Sequence, residues 1–444
     1  MLRAGGDPAS HSVCVISLGC PKNLVDSEHI LGVLAQADWQ ISARPELADT
    51  VIINTCGFLQ SARAEAHETI RRMLRQKSPD QRVIVAGCLV QQDVSGLRQR
   101  FPGVERFIAI DDIPDLPGIL AGSRLPHKMT LPSRVCGATM PRLVATPGLY
   151  AYLRIADGCD NCCAYCLIPS IRGRLRSRPM NDVVREAGML ARNGIRELVL
   201  IAQDTTIYGQ DIEGRKLLAP LLRRLGRIPG IEWLRLLYTH PAHFTPELLF
   251  ELAENDRLVK YVDLPLQHVS DRLLRLMNRS YTREDVKALL TRLRAIPGMA
   301  IRTTFITGLP GESEAEFHDL LDFVGQGHFA HVGCFAYSPE PGTSAARMPG
   351  QIAPTISEQR ARKVMAAQRR VALRRNRQMI GQRIQVRPDS FDPARREYLG
   401  RTFADAPEID DTVHVAGSGL SIGELVDVTV TRAGAYDIWA TTAR

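Results

Sequence analysis

Four of the ten cysteines in this sequence lie within eight consecutive residues, in the stretch Gly158-Cys159-Asp160-Asn161-Cys162-Cys163-Ala164-Tyr165-Cys166. Three of them, Cys159, Cys163 and Cys166, have Cys-x3-Cys-x2-Cys spacing, which lets one tight loop aim three thiolates at a single point. Three thiolates hold three irons of a [4Fe–4S] cluster, and the fourth iron then lacks a protein ligand. Zinc is the alternative, but a structural zinc site takes four closed ligands and no histidine lies nearby. The spacing therefore predicts an iron–sulfur cluster with an open coordination position.

A second set of cysteines follows three predicted strands. Near-continuous β-branched runs end at Cys20, Cys56 and Cys88, and amphipathic helices are predicted over 23–37 and 61–77. This alternation predicts a doubly wound α/β domain, in which the carboxyl ends of the strands meet at one edge of the sheet. The three cysteines are therefore expected to converge and hold a second cluster, unless they are small buried apolar residues. Core or linker positions are expected for the isolated cysteines Cys14, Cys136 and Cys334.

From Tyr150 onward the alternation of strands and helices resumes with a longer period. The predicted strands are 151–156, 197–202, 233–238, 261–264, 301–306 and 331–336. Eight such units close a full (β/α) barrel, so six predict an open, partial barrel. The cysteine loop follows the first of these strands, at the end of the barrel where active sites gather.

Polar residues follow the other strands of this predicted barrel, including Gln203 and Asp204 after the second strand and Gly308 after the fifth. Polar groups concentrated on one rim predict a site for a polar small molecule. Arg302 stands inside an apolar strand and needs an anionic partner there. The sequence leaves open whether that partner is a substrate carboxylate or a structural salt bridge.

The bulk composition is that of a globular protein with two to four domains: 444 residues, 45% hydrophobic and 23% charged. Residues 1–10 lack an apolar signal core, and no apolar run approaches membrane-spanning length. A cytoplasmic location is expected, where reducing conditions suit free thiolates. The net charge of +8 favours an anionic partner such as nucleic acid or the ribosome.

The region after residue 355 has two parts. Residues 356–380 are predicted to form one arginine-rich helix, whose charged face is either solvated or in contact with RNA. Five short strands after Gly381 predict a small β-barrel. From Gly381 to the last residue, seven arginines and ten acidic residues give a net charge of −3. An acidic barrel suits a basic protein partner better than RNA.

Together these motifs resemble the radical S-adenosylmethionine (SAM) enzymes, and the additional three-cysteine domain resembles their methylthiotransferase family. The stretches that carry the resemblance are 17–28, 54–58, 158–173 and 263–268. The residues in these stretches are most similar to those of the family members that modify ribosomal protein S12. The relatives that modify tRNA usually carry glutamine and methionine where this chain has Pro21 and Lys22. Cys162 departs from the family pattern and has no assigned role.

The resemblance implies two [4Fe–4S] clusters and SAM as cofactors. The cluster on Cys159, Cys163 and Cys166 would cleave SAM with an electron from a flavodoxin- or ferredoxin-type reductant. The cluster on the other three cysteines, Cys20, Cys56 and Cys88, would hold the sulfur that is transferred, which comes from a sulfide source. The residues expected to contact SAM are Tyr165, Gln203, Asp204, Arg302 and Gly308. The implied target is the β-carbon of an aspartate in ribosomal protein S12.

The resemblance also implies a domain order. With bounds set by the strand, helix and proline patterns, it names an N-terminal methylthiotransferase domain at 11–125, a linker at 126–148, a partial radical SAM barrel at 149–355, a connecting helix at 356–380 and a TRAM-like barrel at 381–444. Two alternatives stay open. One is methylthiolation of a tRNA adenosine by the same chemistry, and the other is a non-catalytic iron–sulfur protein that carries electrons or binds RNA.

Overall fold

The structure is a computed structural model that describes residues 11–126, 129–147 and 149–442. The chain forms two compact units. The first comprises the described residues up to 145 together with 157–160 and 167–176, and the second comprises the described residues among 146–156, 161–166 and 177–444. Each unit is built on its own parallel sheet.

The sheet of the first unit has five parallel strands in the order β2-β1-β3-β4-β5. Its elements are β1 Ser12–Ser17, α1 Pro21–Gln36, β2 Gln40–Ile41, β3 Thr50–Thr55, α2 Gln60–Gln76, β4 Arg82–Gly87, α3 Cys88–Arg100, β5 Arg106–Ile108 and α4 Leu116–Leu120. In β3, Val51 and Ile53 pack in one apolar cluster, whereas Ile52 packs in another. Because successive side chains of a strand point to opposite faces, both faces of this sheet are covered, as the β-branched runs predicted.

Residues 129–145, most of the segment predicted as a linker, belong to this first unit. Arg142 forms a buried ion pair with Glu28 of α1 at 2.6 Å. The backbone N–H of Ala145 donates to the same carboxylate at 2.7 Å. These bonds fasten the segment to α1. Residues 127–128 and 148 of the predicted linker lie outside the described residues.

The sheet of the second unit has six strands in the order β13-β12-β11-β10-β9-β6, and every neighbouring pair is parallel. The elements that follow α4 in the chain are β6 Tyr150–Arg154, β7 Ala156–Asp157, α5 Ile168–Arg172, β8 Arg176–Ser177, α6 Met180–Arg192, β9 Glu197–Ile201, α7 Gln210–Glu213, α8 Leu218–Leu225, β10 Trp233–Leu236, α9 Pro246–Glu254, β11 Leu258–Asp263, α10 Asp271–Leu276, α11 Arg283–Arg294, β12 Ala300–Thr307, α12 Glu314–Gly325 and β13 His331–Ala336. The six predicted strands are all present, and the sheet is open rather than closed, as the count of six units predicted.

The C-terminal part of the second unit is a helix followed by a closed five-stranded barrel. Its elements are α13 Pro354–Arg377, β14 Arg383–Asp392, β15 Glu397–Arg401, β16 Val413–Ala416, β17 Val426–Ala433 and β18 Ile438–Thr442. The barrel closes in the order β14-β15-β16-β18-β17 around a valine-rich core. Closure leaves no free sheet edge. In the described ranges, no helix is both long and apolar enough to cross a lipid bilayer.

Several acidic residues of the C-terminal barrel face the six-stranded sheet instead of solvent. Asp410 pairs with Arg302 at 3.2 Å, and Asp405 lies 3.4 Å from His331. Glu408 accepts a hydrogen bond from the first tyrosine of β6. Several of the acidic residues behind the net charge of −3 therefore bond within the protein. The net charge is thus weak support for a basic protein partner.

Candidate iron–sulfur and SAM site

Cys20, Cys56 and Cys88 lie together at the carboxyl edge of the first sheet. Cys20 precedes α1, Cys56 follows β3 and Cys88 begins α3, and β1, β3 and β4 are neighbours in the sheet. The charges of Cys20 and Cys56 act on Cys88 and contribute to raising the pKa of its thiol. The structure thus brings together three cysteines that are more than 30 residues apart in sequence.

Two glycines permit close backbone packing next to these cysteines. Gly19 has φ of +94°, and a Cβ there would lie 2.6 Å from Cys56 Cβ and 3.2 Å from its sulfur. Gly87 also has φ of +94°, and a Cβ there would lie 2.6 Å from the carbonyl oxygen of Thr55. Only glycine adopts this backbone conformation readily and fits both gaps. Each glycine directly precedes a cysteine of the set, Cys20 or Cys88.

The chemistry of this trio fits a metal cluster. Burial raises the pKa of Cys88 to about 12, although Arg172 acts in the opposite direction. Burial likewise raises the pKa of Cys56. Adjacent buried thiolates are costly without a cation, because burial and mutual repulsion both disfavour the charged form. Iron ions held by the three cysteines would supply this positive charge, because metal ligation requires the deprotonated thiol.

Arg172, the last residue of α5, reaches the sulfur of Cys88. Its Nη2 and Nε lie 3.2 and 3.3 Å from that sulfur. Arg172 also pairs with Asp26 at 2.7 Å and Asp157 at 3.2 Å, and the whole group is buried. Asn23 completes the arrangement, with its Oδ1 3.3 Å from the same sulfur.

The cysteines of the 159–166 loop are positioned by backbone and side-chain bonds. The N–H of Cys159 donates to the carbonyl of Gly173 at 3.1 Å, and Cys159 is buried. The N–H of Cys166 donates to the carbonyl of Cys163 at 3.1 Å, which closes a tight turn. Arg279 donates to Cys163 Sγ at 3.3 Å. Within the second unit, the tight turn and the cationic donor to sulfur suit thiolate ligands at Cys163 and Cys166.

Cys162 is exposed, in contrast to the other three cysteines of the loop. Its carbonyl oxygen accepts a hydrogen bond from Asn278 at 2.7 Å. The side chain is therefore accessible to solvent, and the backbone of Cys162 is bonded to Asn278.

Asp204 is the centre of a polar network after β9. Its Oδ2 accepts hydrogen bonds from Asn161 and His243, both at 2.8 Å, and Thr206 donates to its Oδ1. Burial alone would raise the pKa of Asp204, but the bond from His243 holds that pKa below its usual value. The carboxylate is ionised and held in one orientation, as a group that binds a polar ligand should be.

Asp204, His240 and His243 place their ligand atoms within 4.8 Å of one another, a spacing that a metal ion accepts. Burial and the charges of Arg279 and Lys216 lower the pKa of His240 to about 2. The same two cations oppose a metal ion at this position, and Asp204 already bonds to His243. The arrangement is better suited to an organic ligand than to a cation.

The other predicted SAM contacts have distinct surroundings. Gln203 directly precedes Asp204 after β9. Tyr165 is partly buried against an apolar cluster. The N–H of Gly308 donates to Glu312 at 2.6 Å. Arg302 pairs with Asp263 at 3.1 Å as well as with Asp410, so of the two partners left open for it, the structure contains the salt bridge.

Two non-glycine residues adopt left-handed backbone conformations just beyond neighbouring strands of the second sheet. Tyr238 after β10 has φ of 57°, and Gln267 after β11 has φ of 67°. Such conformations cost of order 1–3 kcal/mol and cluster at functional sites. Their position supports the carboxyl rim of the second sheet as the ligand-binding edge.

Sequence reasoning missed Arg172, Arg279 and His243. Arg172 lies 84 residues from Cys88, and Arg279 lies 116 residues from Cys163. No spacing pattern connects such pairs. The one available signal was that Arg172 stands in a short apolar segment next to Gly173, where a buried arginine needs a partner.

Comparison with protein families gives three matches along the chain. Residues 12–109 match the family described as uncharacterized protein family UPF0004, and residues 153–324 match the radical SAM superfamily. Residues 380–442 match the TRAM domain. The first two matches cover the sheets that carry the two cysteine sets, and the third covers the closed barrel.

Solved structures support the same architecture. The radical S-adenosylmethionine methyltransferase TsrM from Kitasatospora setae has a TM-score of 0.56 at 17% identity, over 74% of this chain and 75% of that one. The cobalamin-dependent radical enzyme OxsB has a TM-score of 0.51 at 11% identity, over 81% of this chain and 56% of that one. At these identities the likeness shows the fold alone.

Curated relatives are similar over nearly their whole length, and they are named ribosomal protein uS12 methylthiotransferase RimO. The protein from Trichlorobacter lovleyi is 41% identical over 97% of this chain and 98% of its own. The one from Carboxydothermus hydrogenoformans is 42% identical over 96% and 98%, and the one from Geobacter sulfurreducens is 40% identical over 97% and 98%. The chain therefore belongs to the RimO family of radical SAM methylthiotransferases.

Proposed function

We propose that this protein attaches a methylthio group to the β-carbon of an aspartate in ribosomal protein S12. The observation that carries the proposal is the presence of two cysteine trios on one chain that is similar to RimO proteins along its length. One trio converges at the edge of the first sheet, and the other has the spacing of a radical SAM loop. A redox protein without catalysis would leave the polar residues at the rim of the second sheet without a purpose.

The residues that would hold the two clusters are Cys159, Cys163 and Cys166 for the first, and Cys20, Cys56 and Cys88 for the second. When bound, these clusters and SAM supply one-electron cleavage of a sulfonium and the sulfur that is transferred. The chain's own residues orient the ligands. Asp204 offers a fixed, ionised acceptor for a polar group of SAM, and Tyr165, Gln203 and Gly308 are proposed as its neighbours in that site.

The substrate assignment rests on the relatives' names and not on the charge of the C-terminal barrel. Much of the acidic excess of that barrel is engaged with Arg302 and His331. The barrel retains exposed acidic side chains such as Glu424, which suit contacts with a basic ribosomal protein, whereas Asp427 pairs with Arg383 at 3.0 Å. Exposed arginines on the same barrel leave its outer surface of mixed charge.

A site of action near ribosomal RNA is supported by α13. Its exposed side chains include Arg369, Arg370, Arg374 and Arg377. In the described part of the chain, none of these four forms an ion pair. Unpaired arginines on one helix bind phosphate with a strong dependence on salt. A cytoplasmic setting, a flavodoxin- or ferredoxin-type reductant and a sulfide source complete the proposal.

Methylthiolation of a tRNA adenosine is the second candidate, because the arginines of α13 would serve tRNA as well as ribosomal RNA. The sequence Pro21-Lys22 after the first cysteine argues against it. The two candidates differ in the molecule that carries the product, so one experiment separates them.

The test is mass spectrometry of S12 peptides and of tRNA nucleosides from a strain that lacks the gene, complemented with the wild type or with Cys163→Ala. We expect the S12 aspartate to carry the methylthio group only with the wild type, and tRNA to be the same in all strains. A methylthio adenosine that depends on the gene, with S12 unchanged, would contradict the proposal.

A further inference from the structure

Each cysteine trio has one sulfur that accepts hydrogen bonds from a buried arginine. In the first unit Arg172 donates to Cys88, and in the second unit Arg279 donates to Cys163. Their exposed fractions are 1% and 8%. Burying an arginine is expensive, so two such residues that both end at a cluster cysteine call for a common explanation.

Arg172 is held in place from both sides. Its guanidinium pairs with Asp26 and Asp157, while Nε and Nη2 donate to Cys88 Sγ. Nη2 also donates to Asn23 Oδ1 at 2.8 Å, and that oxygen is itself 3.3 Å from the sulfur. The two carboxylates hold the guanidinium of Arg172 in one orientation, and the guanidinium in turn holds the sulfur of Cys88 in place.

Arg279 is held mainly by neutral partners. Its Nε donates to the hydroxyl of Tyr281 at 3.0 Å, and its Nη2 donates to the carbonyl of Pro265 at 3.0 Å. The guanidinium also lies over the ring of Tyr281, 5.2 Å from its centre. Among the described residues no carboxylate pairs with it. The charge of Arg279 is therefore more fully available to Cys163 than that of Arg172 is to Cys88.

Hydrogen bonds to cysteine sulfur and nearby charge set the reduction potential of iron–sulfur clusters. A cationic donor stabilises the reduced cluster, which carries one more electron, and so raises the potential. We propose that Arg172 and Arg279 are positioning residues, each of which fixes one cysteine and raises the reduction potential of the cluster bound by its own trio. This inference rests on the proposed two-cluster function.

A merely structural arginine predicts something different. Replacing such an arginine would lower the free energy of unfolding. It would not change the reduction potential of any cluster that still assembles. The chain offers matched controls. Arg142 is buried in the first unit and pairs with Glu28, and Arg178 is buried in the second unit and pairs with Asp182. Each control arginine thus ends at a carboxylate.

The experiment measures midpoint potentials by redox titration with electron paramagnetic resonance on anaerobically reconstituted protein. The cluster of the first unit is isolated by alanine at Cys159, Cys163 and Cys166, and the other cluster by alanine at Cys20, Cys56 and Cys88. Into each background we introduce the Gln and the Lys variant of its own arginine, Arg172 or Arg279. The Gln variants of Arg142 and Arg178 serve as controls.

We expect each Gln variant to lower the potential of its own cluster by about 59 mV, a tenfold change for one electron. The shift should be larger for Arg279 than for Arg172, because no carboxylate offsets the charge of Arg279. The Lys variants keep the positive charge but lose the planar set of N–H donors of the guanidinium. We therefore expect them to lower the potential as well, but by less. If a Gln variant does not fold, the potential measured for the Lys variant of the same arginine tests the proposal instead.

Unchanged potentials in variants with full iron content would overturn this inference and leave the proposed function standing. So would a shift of equal size with the control Arg142→Gln or Arg178→Gln. Absence of iron from either parent background would overturn the two-cluster proposal itself, and this inference with it.

Discussion

At the scale of single residues, the first cysteine trio depends on glycines as much as on cysteines. The strand pattern and the three cysteines were sufficient to predict that they converge. The sequence also shows glycine before Cys20 and Cys88, but it does not show what those glycines avoid. Gly19 keeps a Cβ away from Cys56, and this contact joins residues that are 37 positions apart.

Gly19→Ala is therefore expected to prevent assembly of the cluster on the first unit. In protein that also carries alanine at Cys159, Cys163 and Cys166, we expect iron to fall from about four atoms per chain to below one. The reason is that the new Cβ would occupy the position of the Cys56 side chain. The measurement is iron content after anaerobic reconstitution.

Gly122→Ala is the matched control for that substitution. Gly122 has φ of +75° but nothing within 4 Å of the Cβ position, so both variants carry backbone strain and only one carries the clash. Equal iron in the Gly19 and Gly122 variants would show that the contact with Cys56 has no role in assembly.

At the scale of elements, the contact between β13 and the C-terminal barrel contains a cluster of charged groups. His331 at the start of β13 faces Asp405, Asp410 and Asp411. Burial alone would lower the pKa of His331, but these carboxylates raise it to about 9. The other charged or titratable groups at this contact are Arg302, Arg375 and Tyr261. The sequence did not reveal this contact, because His331 lies 74 or more residues from the three aspartates.

The raised pKa of His331 predicts how stability depends on pH. Protonated His331 stabilises the folded state fully below pH 6.5, and this contribution is lost as the pH rises through about 9. The pKa of Asp411 is also raised, to about 7. Ionisation of Asp411 lowers the free energy of unfolding as the pH rises, and this loss is almost complete at pH 7. Between pH 7 and 9 the free energy of unfolding should fall by up to about 1.4 kcal/mol per pH unit.

Chemical denaturation across this pH range checks the prediction. We expect His331→Gln to flatten the dependence, whereas His318→Gln should leave it as in the wild type, since His318 is an exposed residue of α12 with a side chain 59% exposed. A slope that persists in His331→Gln would assign the pH dependence to another group.

The arginines of α13 lead to a second prediction at this scale. Arg370→Glu with Arg374→Glu should weaken binding to small ribosomal subunits and reduce the slope of log affinity against log salt by about 1.5, because two phosphate contacts are lost. The control is Arg395→Glu with Arg396→Glu, two exposed arginines in the turn between β14 and β15. Equal effects of the two pairs would show that charge alone, and not α13, governs binding.

At the scale of the whole molecule, the two parallel sheets and the closed barrel were predictable from local pattern. β-branched runs, amphipathic helices and turn residues are short-range signals, and the strand order follows from right-handed parallel connections. The cysteine positions were predictable because parallel strands end at one edge. Two features were not predictable from the sequence: the contacts of arginines with cysteine sulfur, and the ion pairs of the barrel's acidic residues within the protein. Both depend on pairings between distant segments.

We propose that each of the two cysteine trios holds its own iron–sulfur cluster. The most direct measurement is iron and sulfide content of anaerobically reconstituted protein in three forms: the wild type, the alanine variant of Cys159, Cys163 and Cys166, and the alanine variant of Cys20, Cys56 and Cys88. We predict about eight irons per chain in the wild type and about four in each variant. About four irons in the wild type, with no loss in one of the two variants, would contradict the claim.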